Sequence, residues 1–202
     1  VYALAKPGEI CFDPSAMMIR KFLTVCFVAT MLTACGSLDS SEPSYNTVLN
    51  TQARLFFDAP ALTGALSRHR RAEREESGYR VERARWDAES GATAELMLIE
   101  ALTPKGLEVP DDPKMEVANF SDLVKLQATY GELYQSETAM GPSIWRRFVA
   151  GDRVCVIFSQ RWDDGPGTPA IRTLFGYYCA APGDTFSLQD VQAVLLKAGI
   201  RG

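Results

Sequence analysis

The chain has 202 residues and a formal net charge of −4, with a single histidine and five cysteines. One histidine excludes a zinc site built from several imidazoles and leaves a Ser-His-Asp triad dependent on His69 alone. The mildly acidic, mixed-sign balance argues against nucleic acid as the partner, since phosphate binding needs clustered cations.

Residues 1–16 precede Met17 and Met18, which stand just before the basic Ile19-Arg20-Lys21. The reading expects translation to start at one of these methionines, with 1–16 an over-extended start. An apolar run from Phe22 to Met31 follows and ends in Leu32-Thr33-Ala34-Cys35-Gly36. Basic residues, a short apolar segment and small residues in that order make a secretory signal, and about 20 apolar residues would be needed for a membrane span.

The Leu-Thr-Ala-Cys ending resembles the lipobox of bacterial lipoproteins, and the resemblance covers only residues 17 to 36. It implies cleavage before Cys35, diacylglycerol on the Cys35 sulfur and acylation of the new amino terminus. Residues 17–34 are then the signal peptide, and the mature chain anchors to the membrane through lipid on Cys35. Gly36 is not the Asp that retains such lipoproteins in the inner membrane. The expected location is therefore the outer membrane, with the domain facing the periplasm.

Glu9, Asp13, Lys6, Arg20 and Lys21 lie ahead of Cys35, so the mature part keeps 18 basic and 23 acidic side chains and a net charge of about −5. Residues 35–44 are polar, with four serines, Gly36 and Pro43, and read as a lipidated tether. Residues 45–202 are long enough for one domain with its own core.

Along that domain, Val48, Leu49, Leu55 and Phe56 are spaced for a helix face, broken by Pro60. Ala61 to Glu76 carries Arg68-His69-Arg70-Arg71-Ala72-Glu73-Arg74-Glu75-Glu76, in which Arg71 and Glu75 have i,i+4 spacing. This reads as a solvated, ion-paired helix. Tyr79–Trp86 and Ala92–Ala101, joined by Ser90-Gly91, read as a β-hairpin. The Pro-rich stretch 103–117 reads as a loop, and Phe120 to Tyr134 as a helix capped by Asn119. Ser143–Val149 and Arg153–Trp162 read as a second hairpin, with Val149 opposite Arg153. Asp163-Asp164-Gly165 forms a turn tract without the ligand spacing of a calcium loop. Ile171–Ala181 reads as a further strand. Ser187-Leu188-Gln189-Asp190 resembles a capping box opening a helix with Leu188, Val191, Val194 and Leu195 on one stripe, ended at Gly199. The expected fold is α+β: about five antiparallel strands with helices packed on one face.

Cys11 and Cys26 lie before the cleavage site and Cys35 takes lipid. Cys155 and Cys179 remain, both in β-patterned segments. An oxidising compartment predicts a disulfide between them.

No nucleophile elbow, metalloprotease helix, dinucleotide fingerprint or P-loop is present, so no catalytic residue, metal ligand or cofactor is assigned. Trp145, Arg146, Arg147, Arg161, Trp162, Arg172 and Tyr177 combine arginine with aromatics, the composition of interface centres, and form the candidate partner surface. The expected function is a non-catalytic outer-membrane lipoprotein serving as a binding or accessory subunit of a cell-envelope complex, with a protein partner. A carrier of a small apolar or lipid ligand is the alternative, which predicts a cavity of several hundred Å³. A hydrolase is the third.

Overall fold

The computed structural model describes residues 44–74, 78–163 and 169–201. Within them, the chain forms a mostly antiparallel β architecture. The strands are β1 (Asn46–Thr47), β2 (Leu55–Phe57), β3 (Leu66–Arg74), β4 (Tyr79–Asp87), β5 (Thr93–Ala101), β6 (Ala128–Thr138), β7 (Gly141–Ala150), β8 (Arg153–Asp163), β9 (Ala170–Cys179) and β10 (Ala198–Ile200). One α-helix, α1 (Leu188–Leu195), precedes β10, and three short 3-10 segments complete the described elements. Eight strands make one sheet in the order β1-β3-β4-β5-β9-β8-β7-β6, and β10 pairs with β2 apart from it.

Successive strand residues point to opposite faces, and both faces of this sheet are apolar at its centre. On the first face Trp86, Leu96, Leu98, Phe158, Leu174 and Tyr178 pack beneath Phe57, Val191 and Leu195, carried by β2 and α1. On the second, Met97, Phe148, Ile157, Phe175 and Tyr177 pack beneath Phe120 and Leu123 of the long β5–β6 connection. β9 sits between β5 and β8 and is buried along nearly its whole length, which is why its sequence is a continuous apolar run and not an alternating one.

The α+β expectation of about five strands with helices on one face is thus corrected to a large covered sheet. Three expected helices fail for separate reasons. Around β2, Leu55 and Phe57 are buried and Phe56 between them is half-exposed, which is strand alternation. Residues 66–74 form β3, in which Arg71 lies opposite Glu82 and donates to it at 3.0 Å. Glu75 and Glu76, the end of the charged run, lie outside the described residues.

Residues 128–138 form β6, where helical spacing of the tyrosines misled. A bulge between Tyr130 and Leu133 switches the face, so Tyr130 packs on Phe148 at 5.3 Å while Tyr134 stacks on Trp145 at 4.6 Å. Such an extra residue reverses the period-2 pattern.

Both hairpins form as read, the second one residue out of the expected register: Val149 faces Val154, and Cys155 faces Phe148. The turn is Gly151-Asp152, with Gly151 at φ +63°. Helix α1 opens with the capping box Ser187–Asp190 and buries Val191, Val194 and Leu195, whereas Leu188 is exposed. Its last helical residue is Leu195, and Gly199 belongs to β10 opposite Phe56. Cys155 and Cys179 are directly paired on β8 and β9 and disulfide-bonded. Cys35, the signal segment, nearly all of the tether and most of the Asp163-Asp164-Gly165 tract lie outside the described residues.

Candidate functional site

Between the second face of the sheet and the β5–β6 connection is a cleft of about 1010 Å³, at the top of the usual range for small-molecule sites. Its floor follows from strand register. Residues directly opposite one another across a sheet share a face, so the pairings define rows running from the β3 edge to the sheet centre. One row is Arg70, Arg83, Met97, Phe175; the next is Ala72, Val81, Ile99, Thr173; on the other side lie Arg68, Arg85, Glu95, Tyr177. The first row passes from cationic over β3 and β4 to apolar over β5 and β9, while its neighbours are mixed, with Val81 on β4, Glu95 on β5 and Thr173 on β9.

The arginines divide by role. Arg83 pairs with Glu95 at 2.8 Å, donates to the Asn119 carbonyl and lies 5.7 Å from the Phe120 ring centre. Arg85 bridges Asp87 and Asp122. Both therefore clamp the β5–β6 connection onto the sheet, and the Arg85 guanidinium holds the Asp122 carboxyl below the ordinary aspartate range. Arg68 reaches Asp87 at 2.6 Å but stays half-exposed. Arg70 is exposed, lines the cleft and has no carboxylate partner among the described residues. Lys105 on the lip is also unpaired, as is one acid there, Glu108.

Glu95 is buried, and desolvation pushes its carboxyl above the ordinary glutamate value despite Arg83. Burial likewise raises Glu116, which accepts from the Asn119 side chain. Burial thus works against the charged form of both acids, while Arg83 works for that of Glu95.

On the opposite face, Glu82 is fully buried. Arg54 donates to it from its backbone N–H and from Nε, each at 3.0 Å, while the same guanidinium forks onto Glu100 at 3.0 and 2.7 Å. This network ties the segment before β2 to β4 and β5. His69 is buried on this face, 5.7 Å edge-to-face from Trp86, with Nδ1 unpartnered and its pKa lowered mainly by desolvation. The exposed helical histidine expected from the sequence is a core residue facing away from the cleft. An open groove of about 660 Å³ lies along β1 beside it, and Arg68 and Arg70 border both spaces.

The seven residues of the candidate partner surface do not share one surface. Trp145 and Tyr177 are 1% exposed and belong to opposite cores. Arg146 is committed to Asp112 at 2.8 Å and to the Gly131 carbonyl. Arg147 follows Trp145 in register and Arg161 follows Ile157, so they too alternate between faces. Trp162 and Arg172 meet, the guanidinium 4.9 Å from the ring centre.

Sequence reasoning placed Arg68 and Arg70 on a solvated helix face and Phe175 among the aromatics of the last strand, and did not single out Met97 or Ile99. The available signal was the doublet Arg-x-Arg occurring twice, at 68/70 and 83/85, with the period of a strand. Comparison with protein-family models, curated proteins and solved structures finds no match, so function is argued from the site's geometry.

Proposed function

We propose that this chain is a lipid-anchored protein of the outer membrane, facing the periplasm, that acts by binding and not by catalysis, and that its cleft takes a small amphiphilic ligand. The observation that carries the reading is a cleft of about 1010 Å³ whose floor changes from arginine to apolar side chains across four strands. A catalytic cleft needs convergent acid and base groups, and here Glu95 is tied to Arg83 while His69 lies on the other face. The accessory-subunit reading loses ground because its arginine and aromatic residues are split between two faces.

The test is native mass spectrometry of the lipidated protein taken from gently solubilised membranes. A monomer carrying a bound small-molecule mass is expected. Stoichiometric co-purification with envelope proteins and no small-molecule mass would overturn the carrier reading in favour of the subunit.

A further inference from the structure

We infer that the ligand of this cleft is a single-chain anionic lipid drawn from the membrane that holds the anchor, its oxyanion head on Arg70 and Arg68 and its chain over Met97, Ile99 and Phe175. The inference rests on the ligand-binding reading of the cleft and adds the chemistry and orientation of what binds.

Cross-strand geometry supplies the first argument. Arg68 stands directly opposite Arg85, and Arg70 opposite Arg83. Like charges directly opposite one another destabilise a strand pair, and here two such pairs occupy consecutive positions of one face. Carboxylates offset three of the four: Asp87 serves Arg68 and Arg85, and Glu95 serves Arg83. Arg70 is left facing Arg83 with no carboxylate among the described residues. A carboxylate or phosphate placed between Arg70 and Arg68 supplies the missing counter-charge, and guanidinium groups bind such oxyanions through paired N–H donors.

The floor supplies the second argument. From Arg70 to Phe175 the row crosses three strand spacings of about 4.8 Å, roughly 14 Å in all. The cationic end lies one strand in from the sheet edge, beside the two-residue β1, and the apolar end at the sheet's centre. That polarity fits an amphiphile lying along the row with its head outward.

Chain length supplies the third. Tyr45 lines the cleft beside Arg70 and stands ten residues after Cys35, a span of at most about 35 Å when fully extended. A lipid on Cys35 therefore keeps the cleft within reach of a bilayer surface, from which an amphiphile can be drawn.

The experiment uses the full chain with Cys35→Ser, secreted and purified without detergent, titrated calorimetrically below the probes' micelle concentrations. The probes share one chain length: hexadecanoate, 1-hexadecanoyl-glycerol-3-phosphate, hexadecanol and 1-hexadecanoyl-glycerophosphocholine. Inorganic phosphate serves as a head without a chain. At least one of the two anionic lipids is expected to bind tenfold or more tightly than hexadecanol and the zwitterion, and which one binds identifies carboxylate or phosphate as the head. Arg70→Glu, with Arg70→Ala as the milder variant, is expected to cut that affinity at least tenfold and leave hexadecanol unchanged. Both variants remove the repulsion with Arg83, so their melting temperatures are expected to equal or exceed the parent's. Equal binding of neutral and anionic probes, insensitive to Arg70, would overturn the head-group assignment while leaving the cleft a ligand site. Tight phosphate binding without a chain would overturn the lipid. Failure of all five probes in parent and variants alike would overturn the ligand-binding reading itself.

Discussion

Glu82 shows how one residue can carry a segment's placement. Its carboxylate is fully buried and accepts from Arg54 and Arg71. Burial acts to raise its pKa, but the hydrogen bonds from Arg54 and Arg71 outweigh it, and the carboxyl lies below the ordinary glutamate value of 4.5. Removing one partner of a buried ion pair costs about 3–5 kcal/mol. Arg54 and Arg71 are 30% and 35% exposed and keep access to water, so Glu82→Ala is expected to cost about 2–3 kcal/mol, measured by chemical denaturation at pH 7. Because the folded pKa is depressed, this stability is present above pH 4.5 and is lost as pH falls through the folded value. The gap between parent and variant should therefore shrink in acid. A gap that stays constant down to pH 3 would show that Glu82 acts through packing and not through charge.

At the scale of elements, β9 is where two faces of one sheet must close at once. Gly176 lies opposite Leu96 on β5 and Phe158 on β8. A Cβ there would stand 2.5 Å from Leu96 Cδ2 and 2.5 Å from the Phe158 ring. The glycine leaves room for its neighbours' side chains, and overpacking such a site costs about 1–3 kcal/mol. Gly176→Ala is expected to lower the midpoint of thermal unfolding, and an unchanged midpoint would mean that Leu96 and Phe158 repack freely. The same strand carries Phe175 on the face that floors the cleft, so the closely packed row on one side of β9 fixes the position of the apolar end on the other. Elements were legible where local chemistry sufficed. The capping box at Ser187, the Ser90-Gly91 and Gly151 turns and the β-branched runs of β8 and β9 all specify their structure within a few residues. Residues 66–74 and 128–138 were not legible. Their partners are on other strands, and in β6 a bulge reverses the alternation on which a strand is recognised.

For the whole molecule, Tyr45, near the start of the described residues, lines the cleft together with Arg68 and Arg70. If Cys35 carries the lipid, Cys35→Ser is expected to move the protein from the membrane pellet to the soluble periplasmic fraction with its fold intact. Retention in the pellet after a carbonate wash would show that another segment holds it there. The disulfide between Cys155 and Cys179 joins β8 to β9 across a sequence separation of 24. By the chain-entropy argument it contributes about 3 kcal/mol, and it is consistent with the oxidising compartment that the lipobox resemblance implies.

Sequence alone determined what depends on neighbours in the chain: the two hairpins, the capped C-terminal helix, and the pairing of Cys155 with Cys179; the secretory address and lipid site at Cys35 are its proposals. Tertiary structure decided everything that depends on which strands become neighbours. It turned a charged run read as a solvated helix into β3, placed Arg68 and Arg70 opposite Arg85 and Arg83, sent Trp145 and Tyr177 to opposite cores, and set an apolar floor beside the arginines. The physical reason is that a strand's side chains take their meaning from residues tens of positions away. Local periodicity carries no record of that register, and a site built across four strands exists only once the register is set.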